Sequence, residues 1–184
     1  MDKKYKDCME ICKIMLQCRG YSHSHNVDLG GDVWHNKSNG HSLFLFSEIM
    51  QSIHVKLIEP VVNILSILNL DHAILVYYSS ASTSVVNKVA GLGLRIELVH
   101  VDRLICDITK HMYQPKMTRC TETQSKNASS LYMYAMPQIA YNDPMVLWMS
   151  WKKGDVISIC PEKCINNIDD SGKCCDSCHF RRVV

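Results

Sequence analysis

The stretch that decides the reading runs from Met136 to Ile159, MPQIAYNDPMVLWMSWKKGDVISI. Pro137 and Pro144 each push the residue before them towards extended or turn backbone. Ile139 therefore opens a short extended segment that stops at Asn142-Asp143-Pro144. Asp143 carries an N-cap side chain and Pro144 suits a first helical position, so a helix begins there. Met145, Val146, Trp148 and Met149 fill about one apolar turn of it. Lys152-Lys153-Gly154-Asp155 is a polar turn in which Gly154 is free to take a positive φ. Val156, Ile157 and Ile159 follow as a β-branched strand.

Around that stretch the chain has 184 residues, room for one ordinary domain or two small ones. Hydrophobic residues make up 47% and charged residues 21%, enough for a packed core. The net charge is only +2 and neither half is a polyelectrolyte, so a broad grip on DNA built from charge is not expected. The N-terminal MDKKYKDCMEICK mixes acids and bases without an apolar run, and no targeting segment is read there. The apolar stretch from Val61 to Leu70 is broken by Asn63, Ser66 and Asn69 and is too short to span a bilayer, so no membrane partner is expected. The 10 cysteines then read as reduced thiols or metal ligands before disulfides, which points to the nucleus or cytoplasm.

Taken in order, residues 3–19 show a helical stripe of Tyr5, Cys8, Met9, Cys12, Met15 and Leu16, closed by Gly20. Cys8 and Cys12 lie one turn apart and read as small core residues. Residues 22–42 are rich in Ser, His, Asn and Gly without a period and read as a loop. Its His23, His25, His35 and His41 have no metal-ligand spacing. Leu43 to Phe46 is a short buried strand, and Glu59-Pro60 opens a helix that runs to Leu68. His72 to Tyr78 is a strand, Ser79 to Ser84 turns into a short helix closed at Gly91, and Leu94 to Val101 alternates as a further strand. Helices alternating with strands make this part an α/β sandwich.

The order Pro-x-Ile, Asp-Pro, Gly and β-branched strand resembles the C-terminal domain of the fifth-largest subunit of eukaryotic nuclear RNA polymerases, a family with an archaeal counterpart. Pro137, Ile139, Asp143, Pro144, Gly154, Val156 and Ile159 fall on that pattern without a gap, and Ser150 stands where the family usually has glycine. Trp148, with Gly154-Asp155 after it, is most similar to the versions carried by large DNA viruses. His111, Pro115 and Lys116 fit the His-x-x-x-Pro-Lys sequence that opens the domain, and Thr121 to Gln124 is a weaker version of its acidic helix. More loosely, Arg19-Gly20-Tyr21, the Ala73–Tyr78 strand and the run from Ile96-Glu97 through Leu104, Ile105 and Thr109 to His111 resemble the N-terminal jaw of the same subunit. The resemblance implies a nuclease-like α/β jaw over residues 1–110 and a small α+β assembly domain over 111–184, with a cysteine-rich insertion near 160–178. Phe180 and Arg181 sit on the family's Tyr and Arg in a closing strand.

The function implied is that of a non-catalytic subunit of a multisubunit DNA-directed RNA polymerase. Such a subunit is nuclear if cellular, and in host cytoplasm and virion if viral. Its second domain docks on the largest subunit among other polymerase subunits, its jaw lies towards downstream DNA, and it needs no cofactor. The interface candidates are Pro137, Ile139, Asp143, Pro144, Trp151, Lys152, Lys153, Gly154 and Arg181. Trp148 reads as core, whereas Trp151, beside two lysines, suits a docking rim. The turn holding Ser80, Ser82, Thr83 and Ser84 occupies the place of a DNA-facing loop in relatives, where hydroxyls can reach phosphates without sequence specificity. The jaw's kinship with nucleases raises an enzymatic reading, which needs two carboxylates and a lysine two residues past the second. Asp71 and Glu97 supply carboxylates, but Val99 stands at the lysine position, so nuclease chemistry is not expected. A different class of function, a zinc-binding interaction adaptor, rests on Cys160, Cys164, Cys174, Cys175 and Cys178, spaced C-x3-C-x9-C-C-x2-C. Its ligands would be Cys160, Cys164, Cys175 and Cys178; the family has no metal there.

Overall fold

The computed structural model describes residues 3–132, 135–160 and 178–184. It is a mixed α/β protein with two sheets, divided into two compact units, Met1–Asp107 and Ile108–Val184. The division falls just ahead of the 110/111 boundary drawn from sequence, because Ile108 packs against the core of the second unit.

In the first unit α1 (Lys3–Cys18) is followed by β1 (Tyr21–Val27), β2 (Gly31–Asn36), β3 (Ser42–Phe46), α2 (Val55–Leu68), β4 (His72–Tyr77), α3 (Thr83–Gly91) and β5 (Arg95–His100). The strands form one sheet in chain order, antiparallel from β1 to β3 and parallel from β3 to β5. Phe44, Phe46, Ala73, Leu75 and Ile96 alternate onto one face, where they meet Ile58, Val61 and Leu65 of α2 and Val85 of α3. Their sequence neighbours Leu43, Leu45, Ile74 and Val76 are buried as well, as expected of parallel strands covered on both sides. Glu97, which alternates with Ile96, meets Arg19 just past the end of α1. Helix α1 therefore lies over the second face, and Cys8, Cys12, Met15 and Leu16 are core there.

Two expectations for this unit are corrected. Residues 22–42 are not a loop but most of the β1–β2 hairpin and the turn into β3. Strand β1 reads YSHSHNV and exposes nearly all of its length after Tyr21. An edge strand of serines and histidines has no apolar alternation to detect, so periodicity is silent there. Helix α2 begins at Val55 and carries Pro60 inside it rather than in its first turn. Pro60 lies on the exposed face with Lys56, whose carbonyl it cannot bond, so water can satisfy the broken rung.

The second unit comprises β6 (Lys116–Arg119), α4 (Glu122–Ser130), β7 (Gln138–Ile139), α5 (Pro144–Met149), β8 (Val156–Cys160) and β9 (His179–Val183). Its sheet runs β6-β8-β9-β7, with β8 in the middle and buried at every residue. Strand β9, which the resemblance implies as a closing strand, instead lies between β8 and β7, antiparallel to the first and parallel to the second. Helix α4 is almost wholly polar and buries only Ala128, which explains its weak sequence signal. It is fixed instead by a capping box: Gln124 N–H donates to the Thr121 hydroxyl and Thr121 N–H donates to the Gln124 side chain. Among the described residues no helix is long and apolar enough to cross a membrane.

Gly31 is the most closely packed glycine of the first sheet. A Cβ there would run into the backbone carbonyl of Leu45 and the ring of Phe44, well inside contact distance. Neither the β2–β3 ladder nor the buried ring has room to yield. Gly31→Ala is expected to lower stability by about 1–3 kcal/mol, read as a fall in the urea midpoint of the full chain; an unchanged midpoint would show that the sheet is looser than described.

Candidate functional site

Helix α5 and the turn after it are built by local rules. The Asp143 carboxylate accepts from Met145 N–H at 2.9 Å and Val146 N–H at 3.4 Å, and Pro144 occupies the first turn where no donor is needed. At the other end Ser150 takes the left-handed conformation, φ 56° and ψ 37°. Its N–H donates to the Leu147 carbonyl at 3.2 Å, and Trp151 N–H reaches back to the Val146 carbonyl at 3.0 Å. These two reversed bonds are a Schellman motif, completed by the apolar contact between Trp151 and Val146 within one core cluster.

This turn decides where the candidate interface residues go. Trp151, expected at a docking rim, is only 6% exposed and packs with Ile139, Met145, Val146, Ile157, Ile159 and Val183. The left-handed step at Ser150 swings the ring back under the helix, so its neighbouring lysines say nothing about its exposure. Ile139 is core as well, the inward-facing residue of β7 in the same cluster, and Asp143 is engaged in capping. Pro137, Pro144, Lys152, Lys153, Gly154 and Arg181 remain exposed.

Gly154 uses a φ of 93° to turn the chain, and its N–H donates to the Val183 carbonyl at 2.9 Å. Asp155 closes the same turn by accepting from Lys152 N–H at 2.8 Å. The turn thereby presents Lys152 and Lys153 outward, with Lys153 Nζ 5.8 Å from the centre of the Tyr141 ring. Tyr141 N–H donates to the Val184 carbonyl at 2.8 Å, which brings Tyr141, Lys153 and Val184 onto one exposed patch. Tyr141 and Val184 were missed from sequence. The signal was a single tyrosine between an extended segment and Asp-Pro, which only the pairing of β7 with β9 makes meaningful.

Ser80, Ser82, Thr83 and Ser84 are exposed together between β4 and α3, with the Ser82 and Ser84 hydroxyls 2.8 Å apart. Cys160 and Cys178 are described and buried, whereas Cys164 and Cys175 lie outside the described residues.

Asp71 and Glu97, the carboxylates of the nuclease reading, occupy the same end of the first sheet. Glu97 Oε2 accepts from Arg19 at 2.8 Å, while Oε1 accepts from His72 Nε2 and from Arg95, both at 3.0 Å. Asp71 faces His41 Nε2 at 3.2 Å, and His41 Nδ1 lies 2.9 Å from the Tyr21 hydroxyl. Both Glu97 oxygens are thus engaged by protein cations and a histidine, the pattern of an internal ion-pair cluster. Burial alone would raise the Glu97 pKa; the His72 hydrogen bond and the charges of Arg19, His72 and Arg95 outweigh it and hold the carboxyl well below its ordinary range. Burial pushes His72 down, against the pull of Glu97, so the ring is held neutral with Nε2 donating.

With this geometry in place, comparison with known proteins is informative. The model of the family described as RNA polymerase Rpb5, C-terminal domain, matches residues 106–164. The chain is similar to the Rpb5 family over this segment. The match covers about a third of the chain and takes in the capped helix, the Schellman turn and strand β8. A search of curated proteins gave no match. A domain of this kind indicates a subunit of an RNA polymerase. Ser150, which stands where the resemblance leads one to expect glycine, keeps the left-handed backbone that glycine adopts freely.

Two expectations follow. Because a non-glycine residue in the left-handed region costs roughly 1–2 kcal/mol, Ser150→Gly should stabilise the Rpb5 domain by about 1 kcal/mol in denaturant titrations, while Ser150→Val should destabilise it. Stability should also fall on acidification. Unfolded His72 takes up a proton near its ordinary 6.5 and unfolded Glu97 near its ordinary 4.5, while both folded groups protonate at lower pH. The stabilisation is therefore complete above about pH 6.5 and is lost as pH falls through these values, most steeply for Glu97 below 4.5. Glu97→Gln should flatten the acid limb measured by denaturation at a series of pH values. It should also cost about 3 kcal/mol at neutral pH by leaving Arg19 without its anion.

Proposed function

We propose that this chain is a non-catalytic assembly subunit of a multisubunit DNA-directed RNA polymerase, held by the largest subunit through its Rpb5 domain. The observation that carries this reading is the exposed patch of Tyr141, Lys152, Lys153 and Val184, set on a turn that is fixed at both ends by backbone hydrogen bonds. A rigid aromatic beside a basic rim is suited to docking a partner without reorganisation.

The first unit acts as the jaw that lies towards downstream DNA. In support, two of the separate stretches resembling a jaw, Arg19-Gly20-Tyr21 and Ile96-Glu97, converge on one ion-pair cluster through the Arg19–Glu97 bond. Contact with DNA is weak and independent of sequence, made by the hydroxyls of Ser80, Ser82, Thr83 and Ser84 on phosphates. The paired carboxylates of a nuclease play no catalytic part, since Glu97 serves the internal cluster.

The test is co-purification of the tagged chain with the two large polymerase subunits. The wild-type chain should retain them. Lys152→Glu with Lys153→Glu, at two exposed positions, should leave the fold intact and reduce retention about tenfold or more, the effect of at least ~1.4 kcal/mol of charge repulsion at a docking rim. Failure of the wild-type chain to bring down either large subunit would contradict the proposal.

A further inference from the structure

Helix α1 and the ends of β4 and β5 enclose a cavity in the first unit that neither the docking patch nor the serine turn uses. Its volume is about 150 Å³. Strands β4 and β5 run parallel, so the chain leaves both at the same edge of the sheet, at Tyr78 after β4 and in a short 3-10 turn, Val101–Leu104, after β5. Tyr78, Val101, Leu104 and Ile105 line the cavity together with Asp7 of α1 and Asp102 of the turn. The carboxyl edge of parallel strands is where open α/β sheets hold ligands. Val101 and Leu104 are buried and make an apolar floor, whereas Tyr78 and Ile105 keep 44% and 71% of their surface exposed. Asp7 is exposed. The Asp102 side chain is 78% exposed, and its carboxylate has His100 Nδ1 at 3.2 Å, a surface contact of a kind that holds weakly.

From this lining we propose that the cavity receives one arginine side chain of a protein partner. Volume limits the occupant. Small-molecule and cofactor sites occupy roughly 300–1,000 Å³, so this cavity takes a single long side chain and not a nucleotide. Charge limits it further. A phosphate would face two carboxylates from two separate elements, which turns nucleic acid away. A purely aliphatic chain would cover the floor but strip water from both acids without pairing them. A side chain with an apolar stem and a cationic tip satisfies both halves of the lining. Tyr78 selects arginine over lysine, because a guanidinium is planar, stacks on an aromatic ring and offers donors on several sides at once. Its stem lies on Val101 and Leu104, and its head lies between Asp7 and Asp102 beside Tyr78. Ile105, exposed at the rim, gives the partner's neighbouring residues an apolar contact. The cavity lies wholly within the first unit, so its occupant is independent of what holds the second.

The experiment titrates the isotope-labelled full chain, followed by its backbone amide NMR spectrum, with the end-blocked tripeptide Gly-Arg-Gly. The comparison ligand is Gly-citrulline-Gly, the same shape without the charge. The arginine peptide should shift the amides of Asp7, Tyr78 and residues 101–105, with the millimolar affinity of a single side chain. The citrulline peptide should bind about tenfold more weakly. Asp7→Asn with Asp102→Asn should lower the affinity for the arginine peptide by about the same factor. Asp28→Asn with Glu48→Gln, at exposed positions of the first unit outside the lining, should leave it unchanged. Should the cavity variant lose the native spectrum, the contrast between arginine and citrulline on the wild-type chain decides alone. Equal affinity for the two peptides, shifts confined to other residues, or no shifts would each overturn the proposal. Binding of free butylguanidinium without binding of the tripeptide would assign the cavity to a small cation and overturn the protein partner.

Discussion

The second unit depends on the left-handed residue at Ser150. Helix α5 is only Pro144–Met149, too short to be stable by its own hydrogen bonds. It survives because Asp143 closes its start and the Ser150–Leu147 and Trp151–Val146 bonds close its end. The same reversal returns Trp151 to the core and aims the chain at Gly154, whose own positive φ feeds β8 into the centre of the sheet. A residue unable to take that conformation at position 150 would misplace both the core tryptophan and the exposed lysines. Glycine fits the position at least cost, and serine preserves its geometry with some strain.

In the first unit the corresponding constraint is electrostatic. Glu97 is buried enough that an unpaired charge there would be costly, and Arg19, His72 and Arg95 converge on it from α1's end, β4 and β5. This cluster fixes the register between helix and sheet, in the same region where Tyr21, His41 and Asp71 make a second hydrogen-bonded chain. Acidic and basic residues that look like catalytic candidates when read singly serve packing and orientation here.

How much of this was legible follows from which signals are local. Asp143-Pro144 and Gly154 each declare their conformation within a few residues, so the helix start and the turn could be read directly. The β1–β2 hairpin could not, because a polar edge strand lacks the alternation that a half-buried strand displays. Trp151 was misplaced because adjacent lysines suggested a rim, whereas its exposure is set by a backbone reversal one residue earlier. Helix α4 carried a readable signal after all, the Thr121 and Gln124 capping box, but its polar faces gave no period. Tyr141 acquires meaning only through pairing between strands far apart in sequence, which no local rule supplies.

In the proposed docking, a larger polymerase subunit holds the exposed face that carries Tyr141, Lys152 and Lys153. The most direct measurement is lysine-directed cross-linking with mass spectrometry on the assembled polymerase, reading the partners of Lys152 and Lys153. Cross-links from these two lysines to the largest subunit are the predicted result. Cross-links confined to other chains, or none while lysines elsewhere on the chain react, would contradict it.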